Sequence, residues 1–218
     1  MRKLLAFASL AVLLTAGSAA AAGKGTSLLS IGLSQGVGDY AGPADGSAYI
    51  TAFTASEIGV SGEYWYMFAS DYAFAIQGTY GFSSETDKPG TNATAGAPEM
   101  KFSTTSFKVR IGGDRVGKIG DRFVWFFGPG LEFWNGKAEF ENFGFSTPTI
   151  ETESTTRFGI NGRVGGVMML SDAVGIQGQV GNTLGYATAE DEGAKATWYP
   201  SSFHASWGLR FAFGGDSE

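Results

Sequence analysis

The stretch FHASWGLRFAF, residues 203–213, decides the fold. Phe203, Ala205, Trp207, Leu209, Phe211 and Phe213 fall on one face, and His204, Ser206, Gly208, Arg210 and Ala212 on the other. Successive side chains of an extended chain point to opposite sides, so this alternation reads as a β-strand with one apolar face. The same period of two recurs upstream. It runs over 27–37 (Leu29, Ile31, Leu33), 57–68 (Ile58, Val60, Tyr64, Tyr66 and Phe68 against Glu57, Ser61 and Glu63) and 72–83 (Tyr72, Phe74, Ile76, Tyr80 and Phe82 against Ala73, Gln77 and Ser83). It continues over 105–113 (Phe107, Val109 and Ile111 against Lys108 and Arg110) and over 123–135 (Phe123, Trp125, Phe127, Leu131 and Phe133 against Glu132). It is found again over 156–170 (Phe158, Ile160, Val164 and Met168 against Arg157, Asn161 and Arg163) and 174–186 (Val174, Ile176 and Val180 against Gln177 and Gln179). Eight strands result.

The connections alternate in length. Short ones fall at 69–71, 114–121 and 171–173; long ones, rich in Gly, Ser, Thr, Pro and acids, fall near 38–56, 84–101, 136–153 and 187–201. Short turns at one end and long loops at the other are the pattern of a transmembrane barrel. The expected fold is all-β, an eight-stranded antiparallel transmembrane barrel in up-and-down order. An eight-stranded barrel has an interior only wide enough for side chains to fill. The apolar faces carry too many bulky residues for that space, whereas the opposite faces carry Gly, Ala, Ser, Gln and a few charges. The apolar faces therefore point outward, where only lipid can cover them. Pro129, on an outward face, implies a bulge or a lost ladder bond, and Gly128 and Gly130 flank it.

Residues 1–22 read as a signal peptide. Arg2 and Lys3 form a positive start, Leu4–Leu14 an apolar run, and Ala20-Ala21-Ala22 a small-residue cleavage site. Residues 23–218 then form the barrel domain, with a short tail after Phe213. Cys is absent, which excludes disulfides and thiolate sites, and the formal charge of −6 argues against nucleic acid as a partner. One His and no clustered ligands give no metal centre, and no cofactor is expected.

The chain resembles the small eight-stranded outer-membrane barrels of Gram-negative-type bacteria, the OmpA, OmpX and opacity-protein group. The segments WFFGPGLEFW (125–134) and FHASWGLRFAF (203–213) carry the resemblance best. It implies a cell outer-membrane location and recognition by the barrel assembly machinery. In that group the assembly signal is a last strand ending in Phe, here Trp207, Leu209, Phe211 and Phe213.

Charges on the inward faces are Glu57, Glu63 and Glu132 against Lys108, Arg110, Arg157, Arg163 and Arg210. Buried charges need partners. Glu132 with Arg157, and Glu63 with Arg163, are the expected pairs. The set reads as a structural ion-pair network rather than a selective pore. His204 and Ser206 form a His-x-Ser that resembles that of the lipid A deacylase barrels, but on a face that points away from lipid. Gly112-x4-Gly117-Lys118 imitates a phosphate loop without its strand-to-helix context, and Asn92-Ala93-Thr94 is a glycosylation triplet by pattern alone.

Three functions compete. The first is a non-enzymatic surface barrel whose loops contact lipopolysaccharide or external partners, acting as a monomer. The second is a narrow channel for small or apolar solutes, and the third a lipid A-modifying enzyme. The loops are acidic, with Glu190-Asp191-Glu192 as the densest cluster, so contact with anionic lipopolysaccharide would call for divalent cations.

Overall fold

The computed structural model describes residues 24–43, 50–87, 100–141, 149–151, 154–191 and 194–213. The expected signal peptide, the Asn92-Ala93-Thr94 triplet, the tail after Phe213 and the middle of each long loop lie outside the described residues. Among the described residues there are ten strands: β1 (Ser27–Pro43), β2 (Ile50–Ala69), β3 (Tyr72–Asp87), β4 (Met100–Ile119), β5 (Phe123–Glu141), β6 (Thr149–Glu151), β7 (Thr155–Met169), β8 (Val174–Asp191), β9 (Ala194–Trp198) and β10 (Ser201–Phe213). Every pairing is antiparallel. β10 pairs with both β8 and β1, which closes the sheet into a barrel of eight long strands. The short β6 and β9 prolong the barrel toward the loops, pairing with β5 and β8. β9 and β10 share one register against β8 and are interrupted at Tyr199–Pro200, because proline has no N–H for the ladder.

The three tight connections follow from local chemistry. Gly120, between β4 and β5, takes a left-handed φ of 62°, which glycine adopts without steric cost. The β7–β8 turn is held by Ser171 Oγ, which accepts from the backbone N–H of Ala173 (3.3 Å) and Val174 (3.2 Å). The β2–β3 turn carries a bulge between Met67 and Ala69. The turn expected over 114–121 is shorter than the sequence reading allowed. β4 runs on to Ile119, so Asp114 is a fully buried strand residue.

Pro129 costs a ladder bond rather than making a bulge. The β4–β5 register is the same on both sides of the gap, at Gly112↔Gly130 and at Arg115↔Phe127. Between them the carbonyls of Gly128 and Pro129 accept from Arg110 Nη2 at 3.3 and 3.1 Å. Gly112 and Gly130 make room for that guanidinium. A Cβ on Gly112 would lie 2.8 Å from Nη2, and one on Gly130 2.8 Å from Nε.

Large apolar side chains cover the outside. On β3 alone Tyr72, Phe74, Ile76, Tyr80 and Phe82 are exposed. Ten steps of about 3.3 Å, tilted as barrel strands are, give a belt about 25 Å tall, the height of an outer-membrane apolar band. The inside is not simply small and polar, and here the sequence reading is corrected. Leu28, Trp65, Met67, Val116, Phe126 and Val167 point inward and cluster at the turn end with Ala73, Ala75 and Ala212. Ala55, Trp134 and Ala138 form a second inner cluster toward the loop end, packed against Phe102 and Phe140.

Candidate functional site

Between the two apolar clusters the interior is filled by charge. Glu63 on β2 is its hub. It accepts from Trp65 Nε1 (2.7 Å), Gln177 Nε2 (2.9 Å), Arg210 Nη2 (3.0 Å) and Arg163 Nη1. Asp114 on β4 is the second carboxylate. Arg163 grips it through both Nε (3.1 Å) and Nη2, and Arg110 Nη2 lies 3.4 Å away. Arg163 thus bridges the two carboxylates and also donates to Gln179 Oε1 at 3.1 Å. Charge-assisted, forked contacts of this kind are the strong class of hydrogen bond.

Neutral side chains complete the layer. Arg110 Nε donates to Asn161 Oδ1 (2.7 Å), and Asn161 Nδ2 donates to Thr183 Oγ1 (2.9 Å). Ser30 Oγ donates to Gln177 Oε1 (2.8 Å) and accepts from Arg210 Nε (3.1 Å). Two aromatic rings floor the layer. Trp65 and Phe126 meet edge to face at 4.7 Å, and the Arg210 guanidinium lies 3.8 Å from the Trp65 ring centroid. A cation over an indole face, shielded from water, is a favourable contact. Three arginines therefore face two carboxylates in a layer to which seven barrel strands lend hydrogen-bonding groups, while β3 lends the buried Gln77, opposite Glu63 and Arg110, with Ala73 and Ala75 beneath it. The result is a plug.

A thinner second layer lies toward the loops. Arg157 Nη2 donates to Glu132 Oε1 at 2.8 Å, and the guanidinium sits 5.5 Å from the Trp134 ring. Glu57, Lys108, His204 and Ser206 line a small pocket of about 20 Å³ on the β10–β1–β2–β3–β4 side. His204 and Glu57 stand opposite each other across Gly36, which pairs with both. The His204 ring presses on the β8 backbone: a Cβ on Gly181 would lie 2.6 Å from its Nε2.

All eight charges read from the sequence as inward line the interior; Lys108 is half-buried and the other seven buried. Two of the expected pairs are present, Glu132–Arg157 and Glu63–Arg163. The sequence reading missed Asp114, which it left in a turn, and Trp65 and Phe126, which it assigned to neither face. Parity carried the information. Two steps of two from Arg110 reach Asp114, and one step from Glu63 reaches Trp65. On β10, Trp207 and Leu209 point outward, with Phe211 and Phe213 half-covered on the same face.

No protein-family model and no curated protein sequence matches the chain. Solved structures do. The chain is similar in fold to the outer membrane protein OprG from Pseudomonas aeruginosa, with a TM-score of 0.54 at 13% identity, over 88% of this chain and 98% of that one. Ail, the attachment invasion locus protein of Yersinia pestis, aligns with a TM-score of 0.44 at 17% identity, over 86% of this chain and 99% of its own. Neisserial surface protein A aligns with a TM-score of 0.45 at 12% identity, over 88% and 99% of the two chains. At these identities the likeness is one of fold.

Proposed function

We propose that this chain is an exported, non-enzymatic protein of the bacterial outer membrane, a closed monomeric barrel that holds its loops at the cell surface. The observation that carries the reading is the plug inside an outward apolar belt. Such a belt needs lipid, and a transmembrane sheet must close on itself so that no backbone edge meets hydrocarbon. The likeness in fold to an outer-membrane protein supports the location. A signal peptide over 1–22 would deliver the chain to the periplasm. The apolar face of β10, with Trp207, Leu209, Phe211 and Phe213, is what the assembly machinery would read. Lipopolysaccharide is the proposed partner of the loop end.

The interior supports structure rather than transport or catalysis. Among the described residues the interior holds small pockets, about 70 Å³ at the turn end and about 20 and 10 Å³ farther in. His204 and Ser206 are both buried in the lumen, away from lipid. The decisive experiment pairs topology with conductance. An epitope at Gly90 should be detected on intact cells and one after Glu218 only after permeabilisation. The purified barrel should show no conductance steps in planar bilayers. A tag seen only at the C-terminus, or steady ohmic steps from the wild type, would overturn the reading.

A further inference from the structure

The outer wall is not uniform. Where β4, β5, β7 and β8 run side by side, a groove of about 820 Å³ opens on the outside. Its floor is an aliphatic row, Ile111, Leu131, Ile160 and Leu184, paired in register across the four strands. One step nearer the loops an aromatic row stands over it. Phe133 and Phe158 tilt together at 5.0 Å, and Tyr186 meets Tyr199 edge to face at 5.7 Å, Tyr199 being freed by the break before Pro200. The side chains of this wall stand apart. Leu131, Ile160 and Leu184 are 70, 67 and 66% exposed, whereas the large apolar side chains of the β3 wall, Tyr72 to Phe82, are 40–51% exposed. A regular barrel surface covers its own side chains better, so the wall over β5–β8 has room for something between them.

We propose that this groove is a docking site for lipid A, the phosphorylated, multiply acylated anchor of lipopolysaccharide. The inference rests on the outer-membrane reading above and names the place of contact. The β5 outward column carries the charge argument. It runs Leu131, Phe133, Asn135, Lys137 from the belt toward the loops, and Lys137 is exposed. Lys137 stands four residues beyond Phe133, about 13 Å along the strand. Apolar floor, aromatic shelf and cation thus follow one another in the order of acyl chain, interface and phosphate in a lipid. Lys101 on neighbouring β4 is held by Glu141 at 3.1 Å, which leaves Lys137 to meet the phosphate. Glu139, next outward on β5 and opposite Glu151 of β6, places negative charge above the lysine and so disfavours an anion placed any higher. The groove spans four strands at about 4.8 Å spacing. That breadth suits several acyl chains abreast rather than the two of a glycerophospholipid. The groove also lies toward the loop end, hence in the outer leaflet.

The test is lipid retention by the refolded barrel in nanodiscs of phosphatidylglycerol doped with lipid A, read by native mass spectrometry. Heat-modifiable gel mobility checks that each variant is folded. The wild type should retain lipid A over phosphatidylglycerol. Lys137→Gln should lower that preference about fivefold, the worth of one lysine at a membrane surface. Ile160→Trp, which fills the groove with an apolar ring that lipid tolerates, should abolish retention. Ile76→Trp on the far wall should not. Equal retention of the two lipids by the wild type, or unchanged retention in Ile160→Trp, would overturn the docking site. Failure of the epitope test would instead sink the location, and the nanodisc result would stand on its own.

Discussion

The two charged layers of the barrel differ in how many strands supply their partners. In the plug, Glu63 accepts four hydrogen bonds and Asp114 is shared between two arginines. In the loop-side layer, Glu132 meets Arg157 through one oxygen. Both layers are buried, so the difference is one of connection rather than of solvent. A buried charge is costly by itself and becomes tolerable only when its partners are fixed. The plug fixes them from seven strands at once; Glu132 draws its partners from three, Lys108 on β4, Arg157 on β7 and Thr183 on β8. The plug is therefore the piece whose loss the barrel should feel most.

The largest effect is expected from Arg163→Ala. It removes one of Glu63's two arginines and the forked partner of Asp114, and breaking a buried pair costs about 3–5 kcal/mol. The midpoint of the heat-modifiable gel shift should fall well below that of the wild type; an unchanged midpoint would mean that the plug does not hold the barrel. Glu132→Ala should cost less, near the lower end of the same range of about 3–5 kcal/mol, because it uncouples one buried arginine, which keeps the Trp134 ring beside it, where Arg163→Ala uncouples two carboxylates. Urea unfolding of the refolded barrel compares the two variants, and equal losses would erase the distinction between the layers. Gly130→Ala tests the fit of Arg110 into the gap at Pro129. The new Cβ would crowd the guanidinium, and overpacking of this kind costs about 1–3 kcal/mol. If Gly130→Ala is neutral, Arg110 is looser than its contacts imply. Lys101→Ala should be nearly silent, within about 1 kcal/mol, since its pair with Glu141 is about half exposed.

These differences also show what could be read in advance. The expected pairs Glu63–Arg163 and Glu132–Arg157 were legible because both members sit on inward parities of strands whose period is clean. Asp114 was not, because Gly112, Gly113 and Gly117 thin out the hydrophobic signal around it and make the end of β4 look like a turn. Trp65 and Phe126 stand on inward parities but were assigned to neither face, because the inward faces were read as small and polar. In a barrel that sits in lipid, the interior also needs large rings to fill space, so apolar character no longer separates inside from outside. Parity does.

By itself the sequence determined the strands, their alternation and the sense of the two faces, because a period of two is a local property of extended backbone. It also determined that the apolar face needs lipid, since its bulk exceeds what eight strands can enclose. Which inward residues meet was decided by the tertiary structure. Glu63 and Arg163 are 100 residues apart, and Arg210 and Glu63 are 147 apart. Their meeting depends on the register of every strand pair between them and on the closure of β10 onto both β1 and β8. The groove over β4–β8 has the same origin, since it depends on how four registers align and on where Pro200 breaks the wall. Neither feature can be reached from a periodicity that each strand carries alone.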